Sequence, residues 1–354
     1  MIRRITNLVR LVSLSTSVCV LICCSFLGSD LTTSWRVLSQ QGLSHAGPFH
    51  SIIFFDELNG FALTALGLAS TTDGGTNWTW LLESGNRGFY SMRFVDRQTG
   101  WIVGAESKPS EGDSAIGSTN RSPFILKTED GGKAWRGIDL NQFLSSEGTK
   151  FSTFFSICTE HSGTVWLAGN AGIVEATIQS DKLRTSQVTT TRAAVKDLSC
   201  NDSGEVWAVG DNGLVMHYRG KNWASIEYPN GSAFYNRVKV IGNAVWIIGG
   251  IRERGQDGAT GLLASSRNES AWENRTPPEA GLLFDLDLSE NEGWLVGVQG
   301  SIYYTNNGGT TWKKESSPTE NDLFSVFLNA KQGWIGGDKL IVLGLKQTHR
   351  ESVK

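Results

Sequence analysis

The sequence predicts an all-β fold, a seven-bladed β-propeller of four-stranded antiparallel blades closed by its N-terminal strand. Three observations lead there. A strand signature, Trp followed by two mostly apolar residues and Gly, recurs along the chain; a Gly-Gly hairpin ending in Trp follows several copies; and one spare Trp precedes them all. High glycine (41), low proline (7) and 13 Trp in 354 residues suit many short strands joined by tight turns.

The first thirty residues stand apart. Arg3, Arg4 and Arg10 precede an apolar run from Leu11 to Leu27, and Ser25, Gly28 and Ser29 supply small residues. Basic, then apolar, then small is the layout of an export signal, or of an uncleaved membrane anchor. Lipidation is a weaker alternative, because Ile22, not a small residue, precedes Cys23. The expected organisation is residues 1–29 as signal peptide or membrane anchor, 30–347 as propeller and 348–354 as a C-terminal tail.

The signature begins weakly at Gly60-Phe61-Ala-Leu-Thr64. It is full at Trp101-Ile-Val-Gly104, Trp166-Leu-Ala-Gly169, Trp207-Ala-Val-Gly210, Trp246-Ile-Ile-Gly249, Trp294-Leu-Val-Gly297 and Trp334-Ile-Gly-Gly337. The spacing is about 40 residues, the period of a four-stranded blade, with insertions after Gly104 and Gly249. Side chains alternate along a strand, so Trp101 and Val103 share a face. The Trp is expected to fill the gap between blades, and the Gly, facing the other way, to make room for the next blade.

The hairpins follow as Thr71-Thr-Asp73-Gly-Gly75-Thr-Asn-Trp78, Thr128-Glu-Asp130-Gly-Gly132-Lys-Ala-Trp135 and Thr305-Asn-Asn307-Gly-Gly309-Thr-Thr-Trp312. They resemble the Asp-box, a turn between the third and fourth strands of a blade. Asp or Asn bonds nearby amides, Gly takes positive φ and Trp packs beneath. Asp73 and Asp130 are therefore read as turn builders, not catalysts. Trp223 and Trp272 are degenerate copies, and the repeat after Trp166 has none. Trp35 has no repeat of its own while the last repeat lacks a Trp, so the N-terminal strand is expected to complete the last blade.

A net charge of -3, from 32 Lys plus Arg against 35 Asp plus Glu, argues against a nucleic-acid binder. Beyond the leader only Cys158 and Cys200 remain, read as two half-buried thiols with a disulfide as the alternative. None of the five His pairs at a metal-ligand spacing, and no phosphate loop or nucleophile elbow occurs, so no catalytic, cofactor or metal residue is assigned. A sialidase-like glycosidase is the enzymatic alternative, since such propellers also carry Asp-boxes. It needs an arginine cluster and a Glu-assisted Tyr, and its Phe/Tyr-Arg-Ile-Pro start is absent.

Gly100-Trp-Ile-Val-Gly104 to Trp135, and Gly293-Trp-Leu-Val-Gly-Val-Gln-Gly-Ser-Ile-Tyr-Tyr-Thr-Asn-Asn-Gly-Gly-Thr-Thr-Trp312, resemble the photosystem II assembly and stability factor family. The resemblance spans about Trp35 to Leu345. It implies a seven-bladed propeller exported to the thylakoid lumen or periplasm. It also implies a chaperone-like role holding precursor D1, with an arginine-rich surface implicated; membrane association through the N-terminus is the expectation if the apolar run from Leu11 to Leu27 is an uncleaved anchor. The third repeat departs by lacking its Asp-box, and similar repeats occur in exported propellers of non-photosynthetic bacteria, so a generic exported scaffold is the other reading. In the propeller register Arg87, Arg192 and Arg237 are expected at or near blade-to-blade loops. Arg121, Arg252 and Arg254 are expected in or beside the insertions. Together they form a candidate partner-binding rim on the face away from the Asp-boxes.

Overall fold

The computed structural model describes residues 35–346, apart from 39–41, 44–46, 109–119, 146–149, 161–162, 202, 229–231, 253–257, 270, 330–331 and 339–341. The leader and the tail, with every expectation placed on them, lie outside the described residues. Among the described residues no helix is long and apolar enough to cross a membrane.

The chain is an all-β propeller of four-stranded antiparallel blades. In sequence order the sheets are β2–β5, β6–β9, β10–β13, β14–β17, β18–β21 and β22–β25, here sheets 1 to 6, and a further sheet in the order β1-β28-β27-β26, here sheet 7. The inner strands are β2 (Phe49–Phe54), β6 (Arg87–Phe94), β10 (Phe154–Thr159), β14 (Val195–Cys200), β18 (Ala233–Ile241), β22 (Leu283–Leu288) and β26 (Leu323–Leu328). Each packs beside the inner strand of the next sheet, and β26 packs on β2. In sheet 7, β1 (Trp35–Val37) pairs with β28 (Val342–Lys346), Trp35 opposite Leu345.

The signature strands come second in each sheet: β3 (Gly60–Thr64), β7 (Gly100–Lys108), β11 (Thr164–Gly169), β15 (Val206–Gly210), β19 (Ala244–Ile251), β23 (Gly293–Gly297) and β27 (Gln332–Gly337). They are buried on both faces, which is why they read as continuous apolar runs. Their Trp residues fill the space between sheets, as expected. All but Trp101 meet a Trp on or beside the fourth strand of the following sheet: Trp166 meets Trp223 edge-on at 5.8 Å, Trp207 meets Trp272 at 6.3 Å and Trp294 meets Trp35 at 6.0 Å. Trp334 shares a cluster with Trp78, and Trp246 packs with Trp312.

The signature glycine does something other than expected. It does not clear space for the neighbouring blade. A Cβ on Gly104, Gly210 or Gly249 would sit 2.0 Å from the carbonyl oxygen of Gly88, Ala194 or Phe234, each in its own sheet. The cause is a β-bulge. Gly104, Gly169, Gly210, Gly249, Gly297 and Gly337 lie opposite Phe89, Phe154, Val195, Tyr235, Leu283 and Leu323, and directly after each of these the register shifts by one residue. The bulged backbone crowds its partner strand, which favours glycine at this place; sheet 1, with Thr64 opposite Phe49, is the exception.

The Asp-box turns are built as read. Thr71 Oγ1 donates to Asp73 Oδ1 (2.9 Å) and accepts from Gly75 N (2.9 Å); Asp73 Oδ1 accepts from Asn77 N; Trp78 Nε1 donates to Gly75 O. The same bonds recur from Thr128 to Trp135, and from Thr305 to Thr311 around Asn307. In each turn one oxygen of Asp73, Asp130 or Asn307 is engaged in holding the turn's own backbone, a structural task. The extra length between Trp101 and Trp166 is divided. Part lies between β7 and β8 (Asn120–Thr128), and part forms a segment before β10 that carries α1 (Asn141–Leu144), whose Phe143 packs on Phe151 and Phe154.

Cys158 and Cys200 are joined by a disulfide, so the two-thiol expectation is corrected. They occupy the inner strands of adjacent sheets with their Cα atoms 6.0 Å apart, within bridging reach. Their matched positions in consecutive repeats place them side by side, because adjacent inner strands run next to each other around the axis.

Candidate functional site

In its first half each inner strand carries the same three-residue unit: an apolar residue, a bulged residue, and a small or charged residue. The units are Phe49-His50-Ser51, Phe89-Tyr90-Ser91, Phe154-Phe155-Ser156, Val195-Lys196-Asp197, Tyr235-Asn236-Arg237, Leu283-Phe284-Asp285 and Leu323-Phe324-Ser325. A bulge leaves its extra residue unpaired and re-aims its side chain. Here the seven bulged residues, all half-buried, converge on one cavity of about 360 Å³ at the mouth of the axis, with Arg237 also in its wall. The ring is mostly aromatic. His50 lies 5.9 Å from Tyr90, Tyr90 meets Phe155 edge-on at 5.5 Å, Lys196 Nζ stands 4.5 Å over Phe155, and Phe284 meets Phe324 at 4.8 Å.

Below the mouth an axial channel of about 400 Å³ is lined by every inner strand. Its first layer is Ser51, Ser91, Ser156, Asp197, Arg237, Asp285 and Ser325. These side chains clasp neighbouring sheets together: Ser156 Oγ accepts from Leu198 N, Asp197 Oδ2 from Val238 N, Asp285 Oδ2 from Val326 N and Ser325 Oγ from Ile52 N, at 3.0–3.2 Å. Arg237 has no acceptor to offer sheet 6. There Leu286 N turns to Asp285 Oδ1 instead, while the guanidinium lies between two buried acids, 3.5 Å from Asp285 and 3.9 Å from Asp197. Lys239 Nζ adds a contact to Asp285 at 3.1 Å.

The electrostatics follow from burial. Burial works against the charge on Arg237, but Asp285 and Asp197 hold it protonated above its ordinary pKa. Burial pushes the carboxyls of Asp197 and Asp287 up, against the pull of Arg237 and Lys239 respectively. His50 is lowered to about 4 by burial and then by Arg237, so at neutral pH it adds a neutral ring to the mouth. The mouth is thus an aromatic cup over a largely self-compensated ion network. It suits an apolar or aromatic group, and among the described residues no cluster could hold a metal ion.

The arginines read from sequence are only partly brought together here. Arg87 opens β6, 3.8 Å from Glu106 and with its guanidinium 5.6 Å over Phe124. Arg192 is exposed on the connection from β13 (Lys182–Thr190) to β14. Arg121 is exposed at the start of β8, and Arg252 is exposed after β19, 4.7 Å over Phe234. These four lie at the strand ends on the mouth side, opposite the Asp-box turns. Arg254 lies outside the described residues. Arg237 differs from its expected place: it is not in a loop but points into the channel from an inner strand, because the bulge at Asn236 sets it one residue out of register. The bulged ring is not apparent from the sequence of any one strand. Its signal was present, as an apolar-x-Ser or apolar-x-Asp unit at the repeat period, but nothing in one strand's sequence announces a bulge.

Fold and site together define a β-propeller with an aromatic cavity at its axial mouth. Residues 264–351 match the family described as photosynthesis system II assembly factor YCF48. Among solved structures, YCF48 bound to D1 peptide is 22% identical, covering 89% of this chain and 97% of that one with a TM-score of 0.64. YCF48 from Cyanidioschyzon merolae is 17% identical over 88% of this chain and 99% of that one, with a TM-score of 0.65. The extracellular domain of a putative one-component system from B. thetaiotaomicron is 14% identical, over 91% of this chain and 40% of that one, with a TM-score of 0.61. No curated protein sequence matches the chain. The chain is a β-propeller similar to photosystem II assembly factors.

Proposed function

We propose that this protein is an exported, non-catalytic assembly factor of the photosystem II type, which holds a protein segment such as that of precursor D1 at its axial mouth. The observation that carries the reading is the cup of seven bulged residues, five of them ringed, on a rigid scaffold. Aromatic side chains bind with large contact area and little entropy cost, and rigid scaffolds are where such sites are built. The match to the assembly-factor family and the likeness to a propeller bound to D1 peptide support the choice of partner. The basic, apolar and small order of the first thirty residues supports export. Seven four-stranded sheets, with Trp35 opposite Leu345, support a seven-bladed ring closed by the N-terminal strand.

Around the cup, Arg87, Arg121, Arg192 and Arg252 form a cationic rim that pairs with carboxylates flanking the bound segment. Arg237 belongs to the floor. The test is fluorescence anisotropy with a labelled D1 peptide. Binding that weakens in Phe284→Ala plus Phe324→Ala, and separately in Arg87→Ala plus Arg192→Ala plus Arg252→Ala, supports the reading. Unchanged affinity in both variants removes the mouth as the site, and no binding by the parent protein removes this partner.

A further inference from the structure

The repeats make one departure conspicuous. In each sheet the inner-strand residue four places after the bulge packs on the signature ring of the preceding sheet. Phe54 stacks on Trp334 at 3.7 Å, Phe94 stacks on Phe61 at 5.0 Å, Leu288 clusters with Trp246, and Leu328 with Trp294. In sheet 3 this residue is Thr159. The second cover on each signature ring is the fourth-strand Trp. Register locates it: Val206 opposes Tyr218, which opposes Trp223; Val245 opposes Ser266, which opposes Trp272; Gly333 opposes Leu345, which opposes Trp35. In sheet 3 the same path runs from Val165 through Ala176 to Thr185, which is exposed. Trp101, the signature ring facing sheet 3, has therefore lost both covers. Leu183, on the same strand face as Thr185, makes up part of the loss.

A cavity of about 490 Å³ remains between sheets 2 and 3 on the Asp-box side. It is lined by Trp101, Phe94, Val95, Val165 and Thr159, with Asp96 and Glu160 at its polar edge. Trp101 is 8% exposed. Its Nε1 and the Oγ1 of Thr159 are both buried and find no hydrogen-bond partner among the described residues, and both residues border the cavity. Trp294 also leaves its Nε1 unpaired, but there Trp35 covers the ring. Buried donors without acceptors are costly, and a pocket of this volume is of small-molecule size.

We propose that this junction is a binding site for a planar aromatic small molecule of one or two rings that carries a carbonyl or phenolic oxygen. Its ring takes the place of the two missing covers on Trp101. Its oxygen accepts from Trp101 Nε1–H or from the Thr159 hydroxyl. The site is independent of the mouth, which lies at the other end of the inner strands.

The probes are 1-indanone and indane, equal in shape and differing by one carbonyl. Titration followed through the Trp101 indole N–H resonance should show saturable binding of 1-indanone, with indane roughly tenfold weaker, the worth of one hydrogen bond. Thr159→Phe restores the cover seen at Phe54 and Phe94. It should abolish binding without lowering Tm, and leave peptide binding at the mouth unchanged. No shift of the Trp101 resonance with either probe overturns the proposal, as does a folded Thr159→Phe that still binds 1-indanone like the parent.

Discussion

Asp197 offers the sharpest test of how the ring is held. Its carboxylate is 8% exposed and serves three groups: it accepts from Val238 N of the next sheet (3.0 Å), accepts from the Ser156 hydroxyl of the previous one (2.8 Å), and faces Arg237. Asp197→Ala leaves a buried N–H and a buried hydroxyl without their acceptor and takes away one of two counter-charges on Arg237. Each buried orphan costs about 1–3 kcal/mol, so the two together cost about 2–6 kcal/mol, and the lost counter-charge adds to this. Asp197→Asn keeps one oxygen for Val238 N and should cost about 1–2 kcal/mol. Urea denaturation followed by tryptophan fluorescence gives both values, with equal m-values checking that unfolding stays cooperative. An Ala variant within about 1 kcal/mol of the parent, or an Asn variant as unstable as Ala, would refute the claim that this residue clasps the sheets.

Three further outcomes are expected. Trp35→Ala empties an edge-on contact with Trp294 and should lower stability by about 3–4 kcal/mol, read by denaturant midpoint; deletion of residues 31–40 should do at least as much by baring a sheet edge, and an unchanged Tm counts against closure by this strand. Phe284→Ala should raise the peptide off-rate measured by stopped flow while leaving Tm nearly unchanged, because its ring is half-buried at the mouth. Acid should destabilise the fold through its hairpin aspartates. Hydrogen bonds from Asn59 and Leu58 lower Asp56 from 3.8 to about 2, so its contribution is complete above pH 4 and drains as pH falls through that interval. Asp56→Ala should flatten this limb of a Tm-versus-pH curve, and an undiminished limb would assign the acid loss elsewhere.

Much of the architecture was already legible in the chain. The period of about 40 residues reports one supersecondary unit, and the Trp-x-x-Gly strands, apolar throughout, report burial on both faces. The Asp-box turns were legible to the atom, because Thr, Asp and Gly act within a few residues of each other and need no distant partner. The same locality made the missing third turn visible as an absence.

What the sequence could not decide depends on residues a whole repeat apart. The purpose of the signature glycine lay in a bulge on the partner strand, which brings a carbonyl within 2.0 Å of where a Cβ would be. That bulge, repeated on each inner strand, gathers His50, Tyr90, Phe155, Lys196, Asn236, Phe284 and Phe324 into one mouth, although each looks like an ordinary strand residue in isolation. It also turned Arg237 from an expected rim residue into the floor of the channel between Asp197 and Asp285. Cys158 and Cys200 were readable as matched positions, but only the lateral packing of adjacent inner strands brings their sulfurs together. Local hydrogen bonding and periodic burial are properties of short stretches and so are written in the sequence; convergence on an axis is a property of the blades packed side by side, and only tertiary structure supplies it.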